Sequence, residues 1–90
     1  MARFVADSTG IQHLKDTDQQ LIAVASQNGW RVKVILINGQ AVVGCLSGSS
    51  NGSNAGRGGL WMYCGDVTIV DDNGNANVID RLDIIRIENP

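Results

Sequence analysis

Arg31-Val32-Lys33-Val34-Ile35-Leu36-Ile37-Asn38-Gly39, followed by Gln40-Ala41-Val42-Val43-Gly44-Cys45-Leu46, is the stretch on which the fold turns. Its first half alternates and is rich in β-branched residues, as a strand requires. Asn38-Gly39 is the dipeptide of a two-residue type I′ turn, because both residues tolerate positive φ. Counting outward from that turn pairs Leu36 with Ala41, Val34 with Val43 and Val32 with Cys45. All six then share one face, as in a register set by burial. The opposite face begins polar at Arg31 and Lys33 but turns apolar at Ile35 and Ile37. A strand apolar on both faces suits a barrel or a subunit interface better than an exposed sheet.

Upstream of the hairpin the period changes. Thr17-Asp18-Gln19-Gln20 fits a capping box, and Leu14, Leu21, Ile22, Val24 and Ala25 gather on one side at helical spacing. Asn28-Gly29 closes the element. The pattern predicts a helix over 17–27, with an earlier start near Ile11 left open because Leu14 continues the face. Residues 1–10 read as a loose arm, and Trp30 as a wedge between helix and barrel. Downstream, Ser47 to Gly59 is a Gly/Ser/Asn run that reads as a flexible loop. Leu60 to Val70 is a third strand interrupted by Gly65, and Asp71 to Ala76 a turn. Asn77 to Asp80 is a short fourth strand. A tight corner at Arg81, Leu82 and Asp83 leads to a fifth, Ile84 to Ile87. The expected fold is mostly β: one domain over 1–90, with a strongly bent five-stranded barrel over 31–87 and an N-terminal helix.

If the 47–59 loop is symmetric, Cys45 faces Cys64 across neighbouring strands. Continued alternation would then turn Val67 and Ile69 outward and Asp66 and Thr68 inward. A bulge at Gly65 would restore the phase. On this reading the cysteines are small buried apolar residues, with a disulfide as the alternative.

Ninety residues bury a thin core, which self-association would supplement. Seven Lys and Arg against nine Asp and Glu give a formal charge of -2, which argues against sequence-blind binding to phosphate backbones. No apolar run approaches the roughly 18 residues of a membrane span, and Met1 to Gly10 lacks the order of a signal peptide. Two cysteines without redox or zinc spacing fit a reducing cytoplasm. Catalysis has little footing. His13 stands alone, and the glycines of the 47–59 loop lack the Lys-Ser/Thr of a phosphate loop. Asp71-Asp72 and the scatter from Asp66 to Asp83 lack metal-loop spacing. The expectation is no enzyme, no cofactor and no metal.

A helix followed by five strands, an Asn-Gly hairpin and a late tight corner resembles the Sm/LSm family of RNA-associated ring proteins, the Hfq-related group included. Val32 to Gly39 with Val43-Gly44-Cys45-Leu46 resembles the family's first motif, in which a glycine lets the second strand bend. Val78-Ile79-Asp80-Arg81-Leu82-Asp83-Ile84-Ile85-Arg86-Ile87 resembles the second. The likeness covers about Thr17 to Ile87. Three features depart from it. Asp80 stands where the family's base-stacking Arg would be, with Arg81 beside it. Gly59-Leu60-Trp61-Met62-Tyr63 lacks the family's Asp and base-reading Asn, and the net charge is acidic.

The resemblance implies a ring in which the fourth strand of one subunit pairs with the fifth of the next, removing two edges that would otherwise be hazards. Val78, Ile79, Ile84, Ile85 and Ile87 are the candidate interface. It also implies single-stranded RNA at one face, with Trp61 or Tyr63 stacking on bases and Arg57 and Arg81 supplying charge. For Trp61 and Tyr63 the plainer role is packing, for Arg57 a plain loop, and for Arg81 a subunit contact. Two alternatives stand beside RNA binding: an interaction or assembly module that keeps the ring without the RNA pocket, and an OB-like barrel binding single-stranded DNA. The expected partners are copies of the chain itself and, in the first reading, RNA.

Overall fold

The Asn-Gly hairpin forms, but one residue out of the expected register. The computed structural model describes residues 4–55 and 61–90. β1 (Arg31–Leu36) and β2 (Ala41–Ala55) run antiparallel with Val34 opposite Val42 and Val32 opposite Gly44. The turn holds three residues, not two. The Leu36 amide donates to the Gln40 carbonyl at 2.8 Å and the Gly39 amide to the Leu36 carbonyl at 2.9 Å. Gly39, at φ 86°, is the left-handed residue that closes such a loop. The slip leaves Val32 and Val34 buried as expected but turns β2 over, because side chains alternate with period two. Val42 and Leu46 now pack on the core, and Cys45 is exposed.

α1 spans Ser8–Gln27, starting nine residues earlier than the 17–27 helix. Its N-cap is Asp7, whose carboxylate accepts from the Gly10 amide at 3.0 Å. Thr17, expected as the cap, is buried in the helix interior on the face of Leu14, Leu21 and Ala25. The capping box was a coincidence of composition. At the far end the Trp30 amide donates back to the Ala25 carbonyl at 2.7 Å, closing the helix across Gly29. Trp30 itself takes φ 66° and is 54% exposed, so it does not wedge the helix onto the sheet.

Two segments expected to be loose are ordered by pairing. Ser47 to Ala55 continues β2 alongside β3 (Trp61–Asp71), from Gly48 opposite Thr68 to Ala55 opposite Trp61. The polar segment borrows order from a partner strand of strong β formers, Trp61-Met62-Tyr63-Cys64. Residues 56–59 of the expected loop lie outside the described residues. Ahead of the helix, Val5 makes a two-hydrogen-bond bridge with Tyr63, both bonds at 2.7 Å.

β4 (Ala76–Asp80), a 3-10 turn at Arg81–Asp83 and β5 (Ile84–Glu88) complete the chain. The antiparallel sheet has the order β4-β3-β2-β1-β5, so among the described residues it is open, not a closed barrel. A flat sheet of this order would hold its edges about 19 Å apart. The link between β4 and β5 reaches at most about 14 Å. The sheet must therefore curl. Register shifts between Leu46 and Gly48, and where β1 meets β5, supply bends. The first of these corrects the bulge expected at Gly65. Gly65, Val67 and Ile69 stay in phase and buried, while Cys64 lies opposite Gly52 and Cys45 opposite Val70. The cysteines are free and do not face each other. Leu21 and Ala25 of α1 close the core against Val32, Val34, Val67, Ile69, Ile79 and Ile84.

Candidate functional site

Arg81, at the β4–β5 corner, ties three elements together. Asp80 opens the corner by accepting from the Leu82 amide at 2.9 Å. The Arg81 side chain turns inward and is 2% exposed. Its Nη1 lies 3.0 Å from Asp18 on α1, and its Nη2 donates to Asn51 Oδ1 on the outer part of β2. Its Nε is buried with no partner among the described residues. His13 on α1 donates from Nε2 to the Arg81 carbonyl at 3.2 Å. Gly65 makes the room, because a Cβ there would overlap the guanidinium. As a surface charge for RNA, Arg81 is thus corrected. It is buried and compensated by Asp18 of α1.

Beside Arg81 lies a cavity of about 320 Å³ between the first turns of α1 and the outer β2–β3 arm. Ile11, Leu14 and Tyr63 give it apolar walls, and Lys15, Asn51 and Arg81 polar ones. Starting the helix at Thr17 hides this site. The signal that reveals it is the Asp7 cap followed by Ile11, Leu14, Lys15 and Asp18 at helical spacing.

Trp61 and Tyr63 alternate along β3 and are 59% and 40% exposed, so neither is core. Phe4, next to the Val5 bridge, is exposed as well. Arg57 lies outside the described residues. The five candidate interface residues divide. Val78 and Ile85 are exposed, Ile87 is half-buried against the core, and Ile79 and Ile84 belong to the core itself. The last two are a correction: their inward parity spends them on the chain's own packing.

Among the described residues most cations are ion-paired. Arg31 pairs with Asp72 at 2.9 Å, Arg86 with Glu88 at 2.6 Å, and Lys33 reaches Glu88 at 3.7 Å. Hydrogen bonding to Asp72 raises the Arg31 pKa, and Arg86 lowers that of Glu88. Lys15 alone among the described cations has no carboxylate partner. A second cavity, of about 300 Å³, is bordered by Asp66, Asp80 and Asp83. Among the described residues no group of three metal-binding side chains forms, and no helix is long and apolar enough to cross a membrane.

No family model matches the chain, and no curated protein matches it either. Among solved structures it is similar to XC5848 from Xanthomonas campestris, whose crystal structure is described as adopting a novel variant of the Sm-like motif. The TM-score is 0.69 at 15% identity, covering 100% of this chain and 95% of the other. At that identity the likeness speaks for architecture alone, and the architecture, from helix to open five-stranded sheet, is Sm-like.

Proposed function

We propose that this chain is an assembly module that joins copies of itself edge to edge, β4 of one protomer pairing with β5 of the next. The observation that carries the reading is the open sheet with an exposed apolar residue at each edge strand, Val78 on β4 and Ile85 on β5. Unpaired edges of this kind are templates for another chain, and a head-to-tail contact closes into a ring when the rotation allows. The module has no catalytic role and works in a reducing compartment, where Cys45 and Cys64 stay thiols. Light scattering of the intact chain tests it. Several protomers per particle are expected, and Val78→Lys with Ile85→Lys should yield monomers that keep their helix and sheet content. A wild-type chain monomeric at high concentration would refute it.

Single-stranded RNA binding is the second reading, favoured by the exposed pair Trp61 and Tyr63. Base stacking on them is worth about 1–3 kcal/mol per base. The ion pairing of most described cations ranks it behind assembly. Titration of U-rich and A-rich oligonucleotides against salt decides between the two. RNA binding requires an affinity that Trp61→Ala weakens at least about fivefold.

A further inference from the structure

We propose that the cavity between α1 and the outer β2–β3 arm binds a small organic monoanion with an apolar body. Its volume, about 320 Å³, lies at the lower end of small-molecule sites, about 300–1,000 Å³. The walls exist without a ligand. Ile11 and Leu14 are held by the helix, and Tyr63 is fixed by its backbone bridge to Val5. One side of the cavity is therefore apolar.

The other side carries charge. Arg81 and Lys15 line the cavity, and Asp18 neutralises the guanidinium at 3.0 Å. The next carboxylate along the helix, Asp16, accepts from Gln12 Nε2 at 2.8 Å. Among the described residues, two cations and one ion-paired carboxylate leave one positive charge, which favours a monoanion. Lys15 has no carboxylate partner of its own, a need that an anionic head beside it relieves. A carboxylate at Lys15 with a short hydrocarbon body against Ile11, Leu14 and Tyr63 meets the charge and the apolar surface together.

Hexanoate, its uncharged analogue hexanamide and uridine 5′-monophosphate are the probes, titrated into the full chain while backbone amide shifts are followed by NMR. The expected result is saturable movement at Lys15, Asn51 and Cys64. Hexanoate should bind at least about fivefold more tightly than hexanamide, the scale of one charge-assisted contact. Lys15→Met, at an exposed helix position, should abolish that preference. Lys15→Gln provides the same comparison if the Met variant alters the spectrum elsewhere. Equal affinity for acid and amide, or no saturation with either, overturns the proposal. Tighter binding of the nucleotide than of hexanoate also overturns it, and hands the cavity to the RNA reading.

Discussion

The long β2–β3 ladder has two halves held together in different ways. From Gly44 to Ser49, opposite Val67 to Asp71, it lies over the core with Val67 and Ile69 fully buried. Farther out, from Ser50 to Ala55, the same two strands run on with almost no apolar core beneath them. That outer half rests on ladder hydrogen bonds, the Arg81–Asn51 tie and the Val5 bridge. The molecule is accordingly elongated, 44 Å by 22 Å by 22 Å. Burial specifies the inner half; edge pairing and one buried arginine specify the outer.

Substitutions should separate the halves. Ile69→Ala, in the inner half, is expected to cost about 3 kcal/mol of unfolding free energy in a denaturant titration. Ser53→Ala, opposite Tyr63 in the outer half, should stay within about 0.5 kcal/mol. Equal costs would erase the distinction. A subtler probe is Val5→Pro, which deletes the amide that donates to the Tyr63 carbonyl. It should cost about 1 kcal/mol or less and speed hydrogen exchange at Tyr63 while leaving Ile69 protected. Unchanged exchange at Tyr63 would show that the bridge does not order the arm.

The smallest effect concerns the β3–β4 turn. Asp71 accepts from the amides of Asn75 at 2.9 Å and Asn73 at 3.0 Å, and these bonds, Asn75 first, lower its pKa. A depressed carboxylate stabilises above its unfolded pKa, about 3.9. That contribution disappears as pH falls through the lower folded value. Exchange at the Gly74 amide should therefore become faster, relative to its intrinsic rate, only below about pH 4. In Asp71→Asn that acid-specific step should be missing.

Much of this was legible beforehand, and the misses share a cause. The five strands, the tight corner and the inner face of β1 follow from alternation and turn residues. The register of β2 does not, because Asn-Gly supports both a two-residue loop and a three-residue loop closed by glycine. The order of Ser47–Ala55 and of Val5 depends on distant partners that local composition cannot reveal. The cavity was hidden for the same reason. Arg81, read as an exposed cation, is drawn inward by Asp18 and Asn51, both 30 or more residues away in the chain. Of the candidate site residues, Trp61, Tyr63, Val78 and Ile85 lie at the surface.

Both tryptophans stand at the surface, Trp30 just before β1 and Trp61 at the start of β3. Nine residues of extended strand separate Leu46, bonded to Trp30, from Ala55, opposite Trp61. That places the two indoles about 30 Å apart. Intrinsic fluorescence of this protein is then a poor thermometer of its interior. It is a good sentinel for whatever comes to rest on either end.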